Sequence, residues 1–105
     1  MRKDLSPSLA RKFLQEEQAI IIDVRTKEEF EDKHVPLAVN INVSSPDFIE
    51  KIQKLDVKQA YLLYCHMGVR SAKAALIMEE IGFKKVFNVA GDIIDDIEIK
   101  KKSEL

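Results

Sequence analysis

The chain has 105 residues, 46% of them hydrophobic, and its 17 basic residues nearly balance 18 acidic residues for a net charge of -1. This length suits one compact domain over residues 1–105 with one core, and the balanced charge excludes a global field that would attract nucleic acid or an anionic membrane surface. With one cysteine and two histidines, an internal disulfide and a structural zinc site are excluded, and we expect neither a metal nor an organic cofactor.

The N-terminus lacks the apolar stretch of a signal peptide, and no segment approaches the ~20 apolar residues of a membrane span. We therefore expect no membrane partner and a cytoplasmic location. The reducing conditions there would keep Cys65 as a thiol.

The first helix is predicted to begin at Ser6–Pro7, because serine caps a helix and proline is tolerated in its first turn. Apolar residues at helical spacing continue it to near Gln18. Residues 19–24 form an almost continuous apolar run, which predicts a strand covered on both faces. The segment Thr26–Lys27–Glu28–Glu29 is a capping box and starts a short helix to about Asp32.

Alternating residues over 39–43 predict a strand with one wetter face. A further helix is predicted to begin at Ser45–Pro46. Its buried stripe should contain four apolar residues: Phe48, Ile49, Ile52 and Leu55. Residues 60–64 are apolar or aromatic throughout and predict the central strand.

The next helix is predicted to begin at Ser71 and to end at Gly82, which suits a helix C-terminus. Its inward residues should be Ala74, Ala75, Ile77, Met78 and Ile81. A last strand over 86–89 and a turn at Ala90–Gly91 lead to a final helix from Asp92 to about Lys102, with acids early and lysines late.

This alternation of strands and helices predicts an α/β fold with a mostly parallel central sheet and helices on both faces. Ligands of open parallel sheets bind at the carboxyl ends of the strands. Asp23, Arg25 and Cys65 all fall at such ends.

The segment from Cys65 to Ser71 lies between the central strand and a helix N-terminus. A loop in this position can direct several backbone N–H groups at one atom, which favours a thiolate and predicts a low pKa for Cys65. Gly68 would allow the loop to curl around the sulfur, and Arg70 could add a fork of donors. Read singly, however, Cys65 could be a small buried hydrophobe, Gly68 a turn residue and Arg70 a solvated charge.

Four pieces of sequence occur together in order: residues 22–25 (IDVR) with 28–30 (EEF), residues 34–36 (HVP) leading to 38–41 (AVNI), the loop 65–71, and Ala74–Ala75 through Gly82–Phe83 to Val86 and Gly91. Over nearly the whole chain they resemble the rhodanese family. The resemblance implies a single rhodanese-like domain with thiosulfate sulfurtransferase-type activity. In such a domain Cys65 would accept sulfane sulfur as a persulfide and pass it on.

The implied partners are a small sulfur-containing anion such as thiosulfate, or a persulfide, as donor, and cyanide, a thiol or a protein sulfur acceptor. The implied active-site loop is His66, Met67, Gly68, Val69, Arg70 and Ser71, around the catalytic Cys65. Asp23 and Arg25 match a supporting element, although a surface ion pair would give the same pattern. His66 could donate a proton or stabilise a thiolate, or it could point to solvent.

The chain departs from the family pattern at several positions. Lys33 and Leu37 stand where glycines are usual, and the chain has no tryptophan after Gly91. The loop is poor in basic residues, so thiosulfate could be a mediocre donor. We hypothesise that a local positive rim nevertheless steers anions, formed by Arg25, Lys33, His34, Arg70 and Lys73.

Two other functions are consistent with parts of the sequence. Cysteine phosphatases and arsenate reductases use a related loop, but their arginine follows the cysteine after five residues, whereas Arg70 follows Cys65 after four. A non-catalytic binding or sulfur-carrier module could also keep the fold, because a fold alone does not establish a function.

Overall fold

The computed structural model describes residues 3–96. Its strands are β1 (Lys3–Leu5), β2 (Ala19–Asp23), β3 (Val39–Asn40), β4 (Ala60–Tyr64) and β5 (Lys85–Val89). Its helices are α1 (Pro7–Glu16), α2 (Lys27–Asp32), α3 (Phe48–Ile52) and α4 (Val69–Ile81). All five strands pair in parallel in the order β1-β5-β4-β2-β3. The predicted α/β class is therefore confirmed.

The sheet divides the hydrophobic interior into two clusters, where the sequence suggested one. Residues of α3 and α4 pack on one face of the sheet. Residues of α1, together with Ile93 and Ile94, pack on the other face. Strands covered on both sides need continuous apolar sequence, and β4 meets this requirement with four buried residues in succession.

Local signals set several helix ends as predicted. The Ser6 side chain accepts a hydrogen bond from the Leu9 backbone N–H at the start of α1. Thr26 and Glu29 form both hydrogen bonds of the capping box before α2. Gly82 ends α4 with a positive φ of 125°, a conformation that favours glycine.

Other boundaries differ from the prediction. The strand expected over 39–43 is only two residues long, although the backbone N–H groups of Ile41 and Val43 still bond to the carbonyls of Asp23, the last residue of β2, and of Val24, which follows it. Helix α3 begins at Phe48, after an Asp47 cap rather than at Ser45–Pro46. Ile49, predicted to be buried, is 49% exposed, because this short helix buries only its first and last apolar residues.

The two chain ends also differ from the prediction. Strand β1 was not predicted, since three residues carry too little pattern; it pairs with β5 with Asp4 opposite Asn88. No helix begins at Asp92, whose side chain accepts a hydrogen bond from the Ile94 N–H in a local turn. Residues 97–102 of the expected helix lie outside the described residues.

Leu37 occupies a left-handed backbone conformation with a φ of 69°. The Ala38 N–H donates to the Val35 carbonyl across it at 3.1 Å, so residues 35–38 form a turn whose third position favours glycine. The loop therefore keeps a glycine-like shape even though the residue is leucine.

The chain changes direction between β2 and β4. From β2 it continues to β3 on one side, whereas from β4 it continues to β5 on the other. The loops after β2 and β4 therefore diverge and leave a crevice at the carboxyl edge of the sheet. Over residues 3–96, no helix is long and apolar enough to cross a membrane.

Candidate active site

Cys65 lies in this crevice. Asp23 and Tyr64 are register partners at the ends of β2 and β4, so the segments that follow them, Val24–Arg25 and Cys65–His66, leave the sheet side by side. The topology thus brings together Asp23, Arg25 and Cys65, as predicted from their positions after the strands.

Donors converge on the buried sulfur of Cys65. The Gly68 N–H donates to Sγ at 3.2 Å, and the Ser71 hydroxyl oxygen lies 3.4 Å from it. Burial raises the pKa of the thiol, but hydrogen bonds from the Ser71 hydroxyl and from the backbone N–H groups of Ser71, Gly68 and Arg70 outweigh it. The net effect is a pKa below the usual value.

Helix α4 begins at Val69, two residues earlier than predicted. Its cap, Gly68, adopts a left-handed conformation with a φ of 88°. Arg70 and Ser71 consequently lie in the first turn, where backbone N–H groups have no partner within the helix. These groups are free to stabilise negative charge on the sulfur.

The end of β5 packs closely against the Cys65 loop at Gly68. A Cβ atom at Gly68 would lie 2.9 Å from the Val89 carbonyl oxygen and 3.0 Å from the Ala90 Cα. Any side chain at Gly68 would therefore push the loop away from β5 or strain it. Gly68 is required both for its backbone conformation and for this close approach.

Asn88 holds the same loop from β5 and was missed by the sequence analysis. Its side chain is buried, and its amide donates to the Gly68 carbonyl at 3.3 Å and to Asp4 Oδ1 at 3.1 Å. Its own Oδ1 has no hydrogen-bond partner among the described residues. The available signal was a single polar residue within the apolar strand at residues 86–89.

We expect Asn88→Ala to raise the pKa of Cys65, because the Gly68 peptide would no longer be held with its N–H on the sulfur. The measurement is the rate of iodoacetamide alkylation against pH. For the wild type the midpoint should lie below that of a free thiol, and for the variant it should move upward. Asn42→Ala is the control, because the Asn42 side chain accepts a hydrogen bond from the nearby Ser44 N–H, away from the Cys65 loop. An unchanged midpoint for Asn88→Ala would contradict this role.

Asp23 and Arg25 form a buried pair beneath the loop. Their exposed fractions are 0% and 2%, so the surface ion pair considered as an alternative is wrong. Arg25 donates to both carboxylate oxygens of Asp23, at 2.7 to 3.1 Å. Tyr64, also missed by the sequence analysis, donates its hydroxyl to Asp23 at 2.7 Å. Arg25 further donates to the Lys33 carbonyl at 2.6 Å and thereby fixes the loop after α2.

Arg70 is engaged by Glu29 of α2. Its guanidinium donates to both carboxylate oxygens, at 2.8 and 3.0 Å. The guanidinium donors that we expected on the Cys65 sulfur therefore bind Glu29 instead. The backbone N–H of Arg70 still donates a hydrogen bond that lowers the pKa of Cys65. The Arg70 hydrogen bonds, aided by those from Thr26, lower the pKa of Glu29 to about 2.

His66 lies at the mouth within a charged network. Its Nε2 is 3.2 Å from Arg25 Nη1, and since guanidinium only donates, Nε2 accepts and a neutral ring carries its proton on Nδ1. Carboxylate oxygens lie on both sides, with Glu29 Oε2 3.2 Å from Nε2 and Asp92 Oδ2 3.6 Å from Nδ1. In this tautomer, Arg25 at Nε2 and Asp92 at the Nδ1 side hold the ring at the rim of the site.

The rest of the rim is apolar or charge-paired. Met67 and Val69 are 80% and 74% exposed on either side of Gly68.

Lys33 pairs with Asp95 at 3.1 Å, and the His34 ring stacks on Phe30. The predicted positive rim is therefore wrong for Lys33, Arg25 and Arg70, each of which is paired with a carboxylate.

Within the described part of the chain, no group of three or more histidine, cysteine or acidic side chains could hold a metal ion.

Comparisons with known proteins agree with this fold. A family model described as "Rhodanese-like domain" matches residues 6–94. The chain is 36% identical over 93 residues to "Putative sulfurtransferase YtwF" of Bacillus subtilis, covering 88% of this chain and 87% of that one. It is 29% identical over 91 residues to "Thiosulfate sulfurtransferase GlpE" of Coxiella burnetii, covering 87% and 83%. A rhodanese-like domain protein from Staphylococcus aureus superposes with a TM-score of 0.75 at 28% identity, covering 87% of each chain. The chain therefore belongs to the rhodanese-like domain family.

Proposed function

We propose that this protein is a sulfurtransferase that carries sulfane sulfur as a persulfide on Cys65. The observation that carries the proposal is the arrangement of donors around the sulfur, with the Gly68 N–H at 3.2 Å and the Ser71 hydroxyl at 3.4 Å. Such a site favours a thiolate, which is the nucleophile in sulfur exchange. The names of the related sulfurtransferases support the same reaction class.

The reaction is a double displacement at sulfur. The Cys65 thiolate attacks the outer sulfur of a donor, the donor S–S bond breaks, and sulfite leaves thiosulfate with the bonding electron pair. The same attack on a persulfide releases a thiolate. An acceptor such as cyanide or a thiol then attacks the outer sulfur of the Cys65 persulfide and regenerates the thiolate.

The active-site loop stabilises the charged species of this cycle. Negative charge resides first on Sγ of Cys65 and then on the outer sulfur of the persulfide. Backbone N–H groups in the first turn of α4 face this charge without needing to reorganise. Ser71, buried beneath the loop, supplies a hydroxyl donor. Because the cycle requires a free thiol, the proposal includes a reducing, cytoplasmic setting.

Two features count against phosphatase or arsenate reductase activity. The loop has four residues between Cys65 and Arg70, and the Arg70 guanidinium is bound to Glu29 rather than free for an oxyanion. A tetrahedral oxyanion would therefore lack the charged fork that should face it.

The proposal is tested by the intact mass of reduced protein after incubation with thiosulfate or with an alkyl persulfide. We expect a gain of one sulfur atom that is removed by cyanide. A protein that gained no sulfur from either donor would contradict the proposal and favour the non-catalytic binding module instead.

A further inference from the structure

Among the ion-paired groups around the Cys65 site, carboxylates outnumber cations. Three cations are each paired with one carboxylate; the pairs are Arg25 with Asp23, Arg70 with Glu29, and Lys33 with Asp95. Asp92 adds a fourth carboxylate, on the far side of the His66 ring. A small dianion approaching the sulfur therefore meets no surplus of positive charge in this network, and the thiolate that it must reach is itself negative.

Glu29 controls whether a cation is available there. Arg70 gives both of its terminal nitrogens to Glu29, in the bidentate geometry that makes such pairs strong. Since the pKa of Glu29 is about 2, its negative charge persists throughout the neutral range. To bind an anionic donor, Arg70 would have to break its hydrogen bonds to Glu29. Glu29 would then be a second carboxylate at the entrance, in addition to Asp92, without a lysine or arginine partner among the described residues.

The exposed side chains at the entrance suit a different kind of donor. Met67 and Val69, the neighbours of Gly68 in the loop, expose apolar side chains. Such surface can contact the organic group of a persulfide, R–S–SH, but it offers nothing to the oxygens of thiosulfate. The charge at the entrance and its apolar surface therefore both favour an organic persulfide over thiosulfate as the donor.

We infer that Glu29 is a specificity-determining residue that sequesters Arg70 and disfavours dianionic sulfur donors, so that the donor class of this site is organic persulfides without dense negative charge. This inference rests on the proposed sulfurtransferase function. In the reaction, the Cys65 thiolate bonds to the terminal sulfur of R–S–SH, the donor S–S bond breaks, and its electron pair leaves with R–S⁻. The proton of the SH group stays on the transferred sulfur, so that atoms and charge balance.

The test compares the rates at which Cys65 is loaded by thiosulfate and by the persulfide of 2-mercaptoethanol, measured by quenched intact-mass analysis. For Glu29→Gln, we expect the ratio of the thiosulfate rate constant to the persulfide rate constant to rise about tenfold, at the lower end of electrostatic focusing effects. Glutamine retains the capping-box geometry with Thr26, and Arg70 becomes available to the anion.

Glu28→Gln is the matched control, because it makes the same charge change on an exposed neighbour in α2. Its ratio should equal that of the wild type. An unchanged ratio in Glu29→Gln, or an equal rise in Glu28→Gln, would overturn the inference.

A second measurement needs no variant. If carboxylates repel the dianion, added salt should accelerate loading of the wild-type protein by thiosulfate, because screening weakens repulsion. Slower loading with salt would overturn the inference, since it indicates attraction. Loading by the persulfide with no change in the ratio would remove only this inference, whereas failure of both donors to load Cys65 would remove the sulfurtransferase proposal as well.

Discussion

Replacing Cys65 by serine should abolish both persulfide formation and sulfur transfer. The hydroxyl of serine stays protonated where a thiol in this cradle ionises, and oxygen cannot form the sulfur–sulfur bond on which the cycle depends. We expect turnover to fall by on the order of 10⁴-fold or more, as when other covalent nucleophiles are removed. The measurements are intact mass after donor treatment and steady-state thiocyanate production.

The same variant should keep the fold. A serine hydroxyl is smaller than the thiol and can still accept from the Gly68 N–H and pair with the Ser71 hydroxyl, as Cys65 does. We expect the free energy of unfolding to change by about 1 kcal/mol, checked by urea denaturation. Turnover near the wild-type rate in a folded Cys65→Ser protein would show that sulfur does not travel through this residue.

Breaking the buried pair of Asp23 and Arg25 should have the largest effect on stability. In Arg25→Met the side chain keeps an unbranched apolar stem but loses the guanidinium and all of its donors, and the Asp23 carboxylate stays buried with its charge uncompensated. Removing one partner of a buried ion pair typically costs about 3–5 kcal/mol. Urea denaturation should show a loss of this size.

The double variant Asp23→Asn/Arg25→Met is the control. The asparagine oxygen can still accept from the backbone N–H of residue 25, and its amide can donate to the Tyr64 hydroxyl oxygen; both groups bond to Asp23 in the wild type, and no charge is left buried. It should therefore be more stable than Arg25→Met, although it carries one substitution more. If Arg25→Met lost less than about 1 kcal/mol, or the double variant were no better, the pair would not have the structural role assigned to it.

The Cys65 loop and the Asp23–Arg25 pair could not be predicted equally well from the sequence. The Cys65 loop was recognisable because six consecutive residues contain both the thiol and the glycine that the backbone of the loop requires. The Asp23–Arg25 pair was recognisable only as a motif at the end of a strand. Its burial depends on Tyr64 and Lys33, which reach it from elsewhere in the chain.

Local pattern determined most of the secondary structure. The serine and threonine caps, the apolar runs of β2 and β4 and the glycine after α4 each act over a few residues, so their effects could be predicted without tertiary information. Ile49 and Ile81 were predicted incorrectly, because helical spacing identifies an apolar face but does not say how much of that face another element covers. Both side chains remain exposed.

By itself, then, the sequence determined the α/β class, the order of the main elements and the position of Cys65 before a helix N-terminus. Tertiary structure decided what surrounds the sulfur. Glu29 and Arg70 are 41 residues apart and Asn88 lies 20 residues from Gly68, so these contacts exist only once parallel pairing has aligned the strand ends. Glu29 already had a local explanation in its capping box, and its second partner could not be inferred from spacing. The charge at the entrance depends on such distant pairs, and for that reason three of the five cations in the predicted positive rim, Arg25, Lys33 and Arg70, are neutralised in the folded protein.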